Sequence, residues 1–284
     1  MNYTYEYCTR SMNYLLYKAA MSCCDEQVQH RRLLFTTADG YLYSCLQTKA
    51  DFVVNIDEDA FLLNKDALHS LMDYMNENDI AVCGMPDGGV ACRDHNPFVI
   101  NPFFSVFNVR QLKRNVNKYQ QGGVKMAVNM FNYELHKAQM EASFPWSLVD
   151  RSHADINDDD FEPYYDFFLW LCGTQRTLYL QAETWREDGL STLLYNQDTQ
   201  PLVLHTWYSR AYNKDPYHTE RINRVIAYAR EMQRLPEYKP TPYVLRRYAV
   251  ERTIISRMYD CMGFVEHVKR YVRKRLMRLF HHAR

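Results

Sequence analysis

Apolar and polar positions along the first hundred residues follow two rhythms. "YTYEYCT" (residues 3–9) carries Tyr and Thr with period-two character, which predicts a strand. "MNYLLYKAAMSCC" follows with helical character, and Ser11 or Thr9 is placed to cap it. "RRLLFTT" predicts a second strand, Asp39-Gly40 a turn, and "YLYSCLQTKA" a helix. "DFVVNI" is almost continuously apolar, as a strand covered on both faces would be. "KDALHSLMDYMNEN" places Ala67, Leu68, Leu71, Met72 and Met75 on one helical stripe. "IAVCGM" predicts a strand ended by the turn "PDGG". Alternating strands and helices of this kind predict an α/β fold with a mixed, mainly parallel, Rossmann-like sheet flanked by helices.

Beyond Asn101 the pattern loosens. "FFSVFNV", "RTLYLQA" and "PLVLHTW" predict strands, and "YYDFFLWLCG" a buried helix. Pro236, Pro240 and Pro242 mark a boundary, followed by two helical segments near 243–260 and 264–281. The expected organisation is a unit over 1–235 and a helical, basic, amphipathic C-terminal extension over 236–284.

Composition narrows the chemistry. With 284 residues, 47% of them hydrophobic, the chain can bury a sizeable core. Only 9 residues are Gly, and neither a GxGxxG nor a GxxxxGK[ST] phosphate loop is present. The eight cysteines form no CxxC pair and no zinc spacing, so the simplest expectation is a reducing, cytoplasmic setting. The N-terminus lacks a signal-peptide pattern, and no run approaches the ~20 apolar residues that span a bilayer.

The strongest chemical signal is "ADFVVNIDEDAFLLNKDAL", where an apolar strand ends in Asp57, Glu58 and Asp59. In an open α/β sheet, ligands bind beyond the carboxyl ends of the strands. Alternate spacing lets Asp57 and Asp59 converge if the chain stays extended. Two such carboxylates repel, so a divalent cation, Mg²⁺ or Mn²⁺, is their natural companion, often bridging to phosphate. The bland alternative is an exposed acidic loop.

These residues resemble the DxD region of the GT-A-fold glycosyltransferases. The resemblance extends more weakly over residues 1–210. It implies a nucleotide-sugar half over 1–100, an acceptor half over 101–235, and Asp57 and Asp59 binding a cation and the donor diphosphate. The family often supplies a late His as a further metal ligand, for which His205 in "PLVLHTWYSR" is the candidate; Trp207 would be a sugar platform or a packing residue. Inverting members place a general base near a helix start in the acceptor half. Asp166 and Glu162 in "DINDDDFEPYYDFFLWL" are the candidates, with Asp166 expected to be partly desolvated among its aromatic neighbours. Both acids fit equally well as helix N-terminal charges. The usual Pro-x-Tyr-Asn-like turn is replaced by "CTRSMN"; Thr9, Arg10 and Asp39 are placed by chain order to contact the nucleotide. "GMPDGG" suits a donor-pocket wall or a hairpin turn. The acidic run also mimics a calcium loop, but Asp160 stands where Gly is obligatory.

The resemblance implies a metal-dependent transferase moving a sugar from a UDP- or GDP-type donor to a glycan or lipid-linked acceptor, in cell-surface glycan synthesis. The competing expectations are a DxD phosphohydrolase and a non-catalytic carbohydrate- or partner-binding module. Residues 264–284 hold seven Lys/Arg and one Glu, or 7 − 1 = +6, leaving −6 for the rest of a chain of zero formal charge. Val265, Val268, Val272, Leu276 and Leu279 recur at helical spacing there. That pattern predicts either a helix lying on an anionic membrane, placing the protein peripherally on the inner face of the cell membrane, or a helix docked on protein. Nucleic acid is not an expected partner.

Overall fold

A computed structural model describes residues 3–258, apart from 91, 92, 94, 120–122 and 153. The expected basic amphipathic stretch at 264–284 lies outside the described residues.

The central six-stranded sheet runs in the order β2 (Gln29–Leu33), β1 (Tyr5–Arg10), β3 (Phe52–Ile56), β6 (Ile100–Asn108), β5 (Val82–Pro86), β7 (Thr177–Tyr179). β1 pairs parallel with β2 and β3, and β5 parallel with β7; β6 is antiparallel to both β3 and β5. Two antiparallel pairings in succession restore direction, so β5 runs the same way as β3. The carboxyl ends of β1, β3 and β5 therefore share one edge, and the acidic triplet stands on it.

All five residues of β3 are buried. Alternation sends successive side chains to opposite faces. Tyr7, Phe52 and Val54 enter one core, with the apolar sides of α1 (Tyr14–Met21), α3 (Lys65–Glu77) and α8 (Pro216–Met232). Cys8, Val53 and Phe107 enter the other, with α2 (Gly40–Leu46), α4 (Val109–Tyr119) and α7 (Tyr165–Thr174). The five-residue stripe expected on α3 is its buried face. The cap of α1 is Asn13, whose side chain accepts from Leu15 N and Leu16 N, rather than Ser11 or Thr9.

A second, antiparallel sheet runs β4 (Ala60–Leu62), β10 (Pro201–His205), β9 (Thr192–Tyr195), β8 (Ala182–Thr184). The pattern of "RTLYLQA" reads as one strand, but the chain divides there: β7 closes the edge of the first sheet and β8 opens the edge of the second. An apolar run cannot reveal a change of sheet, because both environments bury the same residues.

After Pro236 and Pro240 the chain forms a helix over 242–258. Thr241 Oγ1 accepts from Val244 N at 3.3 Å, and Pro242 takes the first helical position, where its missing N–H costs nothing. Val244 is buried in the first core. No helix among the described residues is long and apolar enough to cross a membrane.

Candidate metal centre and adjoining cleft

A tight turn sets the geometry of the acids. Asp57 N donates to Phe103 O at 2.8 Å, and Ala60 N to Asp57 O at 3.2 Å. The reversal carries the chain out of the central sheet into β4, whose register with β10 places His205 opposite Ala60. His205 Nε2 thus reaches Asp59 Oδ1 at 3.3 Å. One ligand atom each from Asp57, Asp59 and His205 all lie within 4.8 Å of one another.

The imidazole is positioned by its neighbours' rings. Phe103 stacks on it at 4.4 Å and 5°, and Trp207 meets it edge-on at 4.2 Å. Its Nδ1 is buried without a hydrogen-bond partner. Thr206 Oγ1 donates to Asp59 Oδ2 at 3.2 Å, and Thr206 N to Asp59 O at 3.0 Å.

The three acids have three electrostatic roles. Burial pushes the Asp57 carboxyl well up, and the charge of Asp59 adds to this against the pull of Arg10. Burial also acts upward on Asp59, but the charge and hydrogen bond of His205 and the Thr206 hydroxyl outweigh it and hold the carboxyl below its usual value. A cation placed between them would relieve the first and replace the partner of the second. Two carboxylates and an imidazole nitrogen form a donor set that could hold a metal ion.

Glu58 faces away from this pair. Its Oε2 accepts from Ser11 Oγ (2.8 Å), Met12 N (2.8 Å) and Asn13 N (2.5 Å), tying the acid turn to the start of α1. Burial raises its carboxyl to about 7, against the lowering effect of those donors. The unfolded value is about 4.3, so Glu58 makes the cation-free fold lose stability as pH rises from there through about 7. Glu58→Gln keeps an acceptor oxygen and removes the titration. Its Tm relative to wild type, measured in chelator, is expected to rise between pH 5 and pH 8 by the equivalent of roughly 2 kcal/mol; a difference constant with pH would contradict this role.

Beside the acids lies a cleft of about 680 Å³. Among the described residues, Asp57, Glu58 and Asp59 line it together with the cations Arg10, Arg210, Lys214 and Arg252. Tyr212, Tyr248, Phe35, Ile255 and Met258 supply apolar lining. The cleft thus sets acids that could hold a metal ion beside side-chain cations and aromatic faces.

The other residues singled out by sequence take varied places. Arg10 lines the cleft and stands over the Tyr41 ring at 5.6 Å. Thr9 is fully buried and donates to Met21 Sδ, facing α1. Asp39 precedes α2, half-buried, its carboxyl lowered chiefly by the Thr37 hydroxyl; Thr37 lines the cleft and Asp39 does not. Trp207 packs on His205 and donates Nε1 to Thr192 Oγ1 at 2.9 Å, which makes it a packing residue.

The desolvation expected of Asp166 is not found. α7 turns Tyr165, Phe167 and Phe168 inward and leaves Asp166 exposed, because neighbouring helical positions point in different directions. Glu162 is half-buried before α7, its carbonyl accepting from Tyr165 N at 2.9 Å. Neither acid lines the cleft. A deeply buried acid in contact with α7 is Asp87 of "GMPDGG", which accepts from Arg93 (2.9 and 2.7 Å), Tyr165 (2.7 Å) and Asn101 (2.5 Å) and is fully satisfied. Sequence reasoning missed Arg210, Lys214 and Arg252; the run "YSRAYNK" directly after the His205 strand was the available signal for the first two. Compared with known proteins, the chain matches no protein-family model and has no significant match among curated proteins.

Proposed function

We propose that the protein is a metal-dependent glycosyltransferase of the GT-A kind, taking a sugar from a UDP- or GDP-type donor to a hydroxyl of a glycan or lipid-linked acceptor. The observation that carries this reading is the meeting of Asp57, Asp59 and His205 at a cleft also lined by Arg10, Arg210, Lys214 and Arg252. Their place beyond β3, on the edge shared by the carboxyl ends of β1 and β5, supports it.

Asp57, Asp59 and His205 would hold Mn²⁺ or Mg²⁺, which when bound neutralises charge building on a diphosphate leaving group. Arg10, Arg210, Lys214 and Arg252 attract and orient the phosphates from the protein side. Tyr212 and Tyr248 offer faces to the nucleobase or sugar. If the reaction inverts, a carboxylate must take the acceptor proton; Asp166 and Glu162, the candidates from sequence, do not line the cleft, and if it retains, no such base is used. Residues 264–284 would hold the enzyme at an anionic membrane near a lipid-linked acceptor.

The test is a panel of nucleotide sugars with and without Mn²⁺, read by thermal shift and by product formation. A ligand confined to the folded state adds about 2.7 kcal/mol of stability at 100 times its Kd. Metal-dependent stabilisation by one nucleotide class, with sugar transfer, is expected. Stabilisation without turnover would point to a binding module, and phosphate release from simple phosphoesters to a hydrolase.

A further inference from the structure

Helix 242–258 lines the cleft with Tyr248, Arg252 and Ile255, spaced along one helical face, and with Met258. Val244 is buried in the first core, Tyr248 packs against that core and Arg247 stands over the Tyr14 ring at 4.2 Å, while Leu245, Val250 and Ile254 are exposed. Its place beside the cleft is further tied by Glu251, the residue before Arg252. The Glu251 carboxylate accepts two bonds from Arg32 Nη1 (3.0 and 2.7 Å) and one from Arg247 Nε (2.8 Å). The Arg32 and Glu251 side chains are only 8% and 16% exposed, so solvent screens this pair far less than a surface ion pair.

Arg32 continues the connection inward. Its Nε donates to Ser11 Oγ at 2.9 Å, and Ser11 Oγ donates to Glu58 Oε2 at 2.8 Å. Tyr14 and Tyr17 fix the guanidinium from the side, at 4.8 and 5.2 Å. A continuous hydrogen-bonded path thus joins the C-terminal helix to the residue between the two metal-binding acids.

We propose that helix 242–258 is the phosphate-recognising wall of the cleft, with Arg252 donating to the phosphate oxygens of a nucleoside diphosphate and Glu251 positioning the helix through Arg32, Ser11 and Glu58. The proposal rests on the nucleoside-diphosphate reading of the cleft and adds which element recognises the phosphates. A guanidinium presents a planar fork that matches two phosphate oxygens, and a helix holds that fork in one place. Coupling is reciprocal: whatever moors the helix tightens the ligand, and the ligand must steady the helix to the same degree.

The full-length chain is titrated calorimetrically with UDP and GDP at saturating Mn²⁺. Arg252→Ala is expected to weaken the tighter nucleotide about 10–100-fold, and Arg252→Lys to fall between it and wild type, because the charge survives and the fork does not. Glu251→Gln is expected to weaken it about 5–10-fold without lining the cleft itself, and to speed amide exchange over 242–258 unless Mn²⁺ and the nucleotide are present. Arg246→Ala, an exposed cation of the same helix outside the cleft, should stay within about twofold of wild type. Wild-type affinity in Arg252→Ala, or an equal loss in Arg246→Ala, overturns the proposal and leaves the diphosphate reading standing. Unchanged affinity in Glu251→Gln overturns the positioning role. No nucleotide binding by the wild type overturns the proposal together with the reading beneath it.

Discussion

Asp59→Asn is expected to weaken Mn²⁺ binding by more than about 100-fold and with it every metal-dependent property of the cleft. Losing a hydrogen-bond partner of a metal ligand already costs 10–100-fold elsewhere, and Asp59 is one of only three converging ligands among the described residues. Calorimetric titration of Mn²⁺ into the apo protein measures this, and near-wild-type affinity would remove Asp59 from the centre. The cation-free variants separate its role from that of Asp57. Asp59 is held below its usual value, so its ionised form adds stability above pH ~3.9 that is lost as pH falls through the lowered folded value. Asp57 is held above its usual value, so the cation-free fold loses stability as pH rises past ~3.9. At neutral pH, in chelator, Asp59→Asn should therefore lower Tm. Asp57→Asn should raise it, by the equivalent of about 0.5–2 kcal/mol, while also abolishing Mn²⁺ binding.

Arg221→Met is expected to cost about 3–5 kcal/mol of folding stability, the range for breaking a buried ion pair from one side. The Arg221 and Asp188 side chains are 0% and 1% exposed and meet at 3.1 Å. Arg221 also donates to Ser191 Oγ at 2.8 Å and to Trp207 O at 3.0 Å. Trp207 and Tyr208 have φ of 56° and 58°, a left-handed backbone that large side chains adopt only when their surroundings enforce it. Arg221 supplies part of that enforcement two residues beyond His205. The variant should therefore weaken Mn²⁺ binding as well as stability, and Mn²⁺ should restore less of its Tm than it adds to the wild type. Burial acts upward on Asp188, but hydrogen bonds from Ser191, Leu190 and Arg221 hold it below its usual value. Its contribution is thus present above pH ~3.9 and lost as pH falls through the lowered folded value. Denaturant unfolding at pH 7 and below pH ~3 checks both statements; wild-type stability in Arg221→Met at pH 7 would contradict them.

The legible part of the fold is the part built from local periodicity. β3 and β5 follow from short, continuously apolar runs, α3 from an apolar stripe at helical spacing and α7 from a longer apolar run, and their boundaries in the structure differ by a few residues at most. The helices α4, α5 (Gly123–Met130), α6 (Tyr133–Ser143) and α8 are not among the elements expected above. α5 and α6 each bury only two residues, so no long stripe stands out there, and α4 has four charged and four apolar residues; α8 does carry a stripe, Ile222, Val225, Ile226 and Ala229, that is visible in the sequence. Asp166 shows the limit for site residues. Aromatic neighbours in sequence suggested desolvation, yet on a helix the residue between two buried positions can face solvent.

The sequence by itself determined that an apolar strand ends in an acidic triplet, that a helix follows, and that a histidine closes a later apolar strand. Those are local facts, set by side-chain type and spacing along the chain. Only the tertiary structure decided that Glu58 turns from its neighbours to the start of α1, and that β4 leaves the central sheet to pair with β10. It also decided that this register sets His205 against Asp59, and that the C-terminal helix returns to line the same cleft. Strand register and helix docking depend on contacts between residues far apart in the chain. Their energies are summed over whole packed faces, and no window of sequence contains that sum.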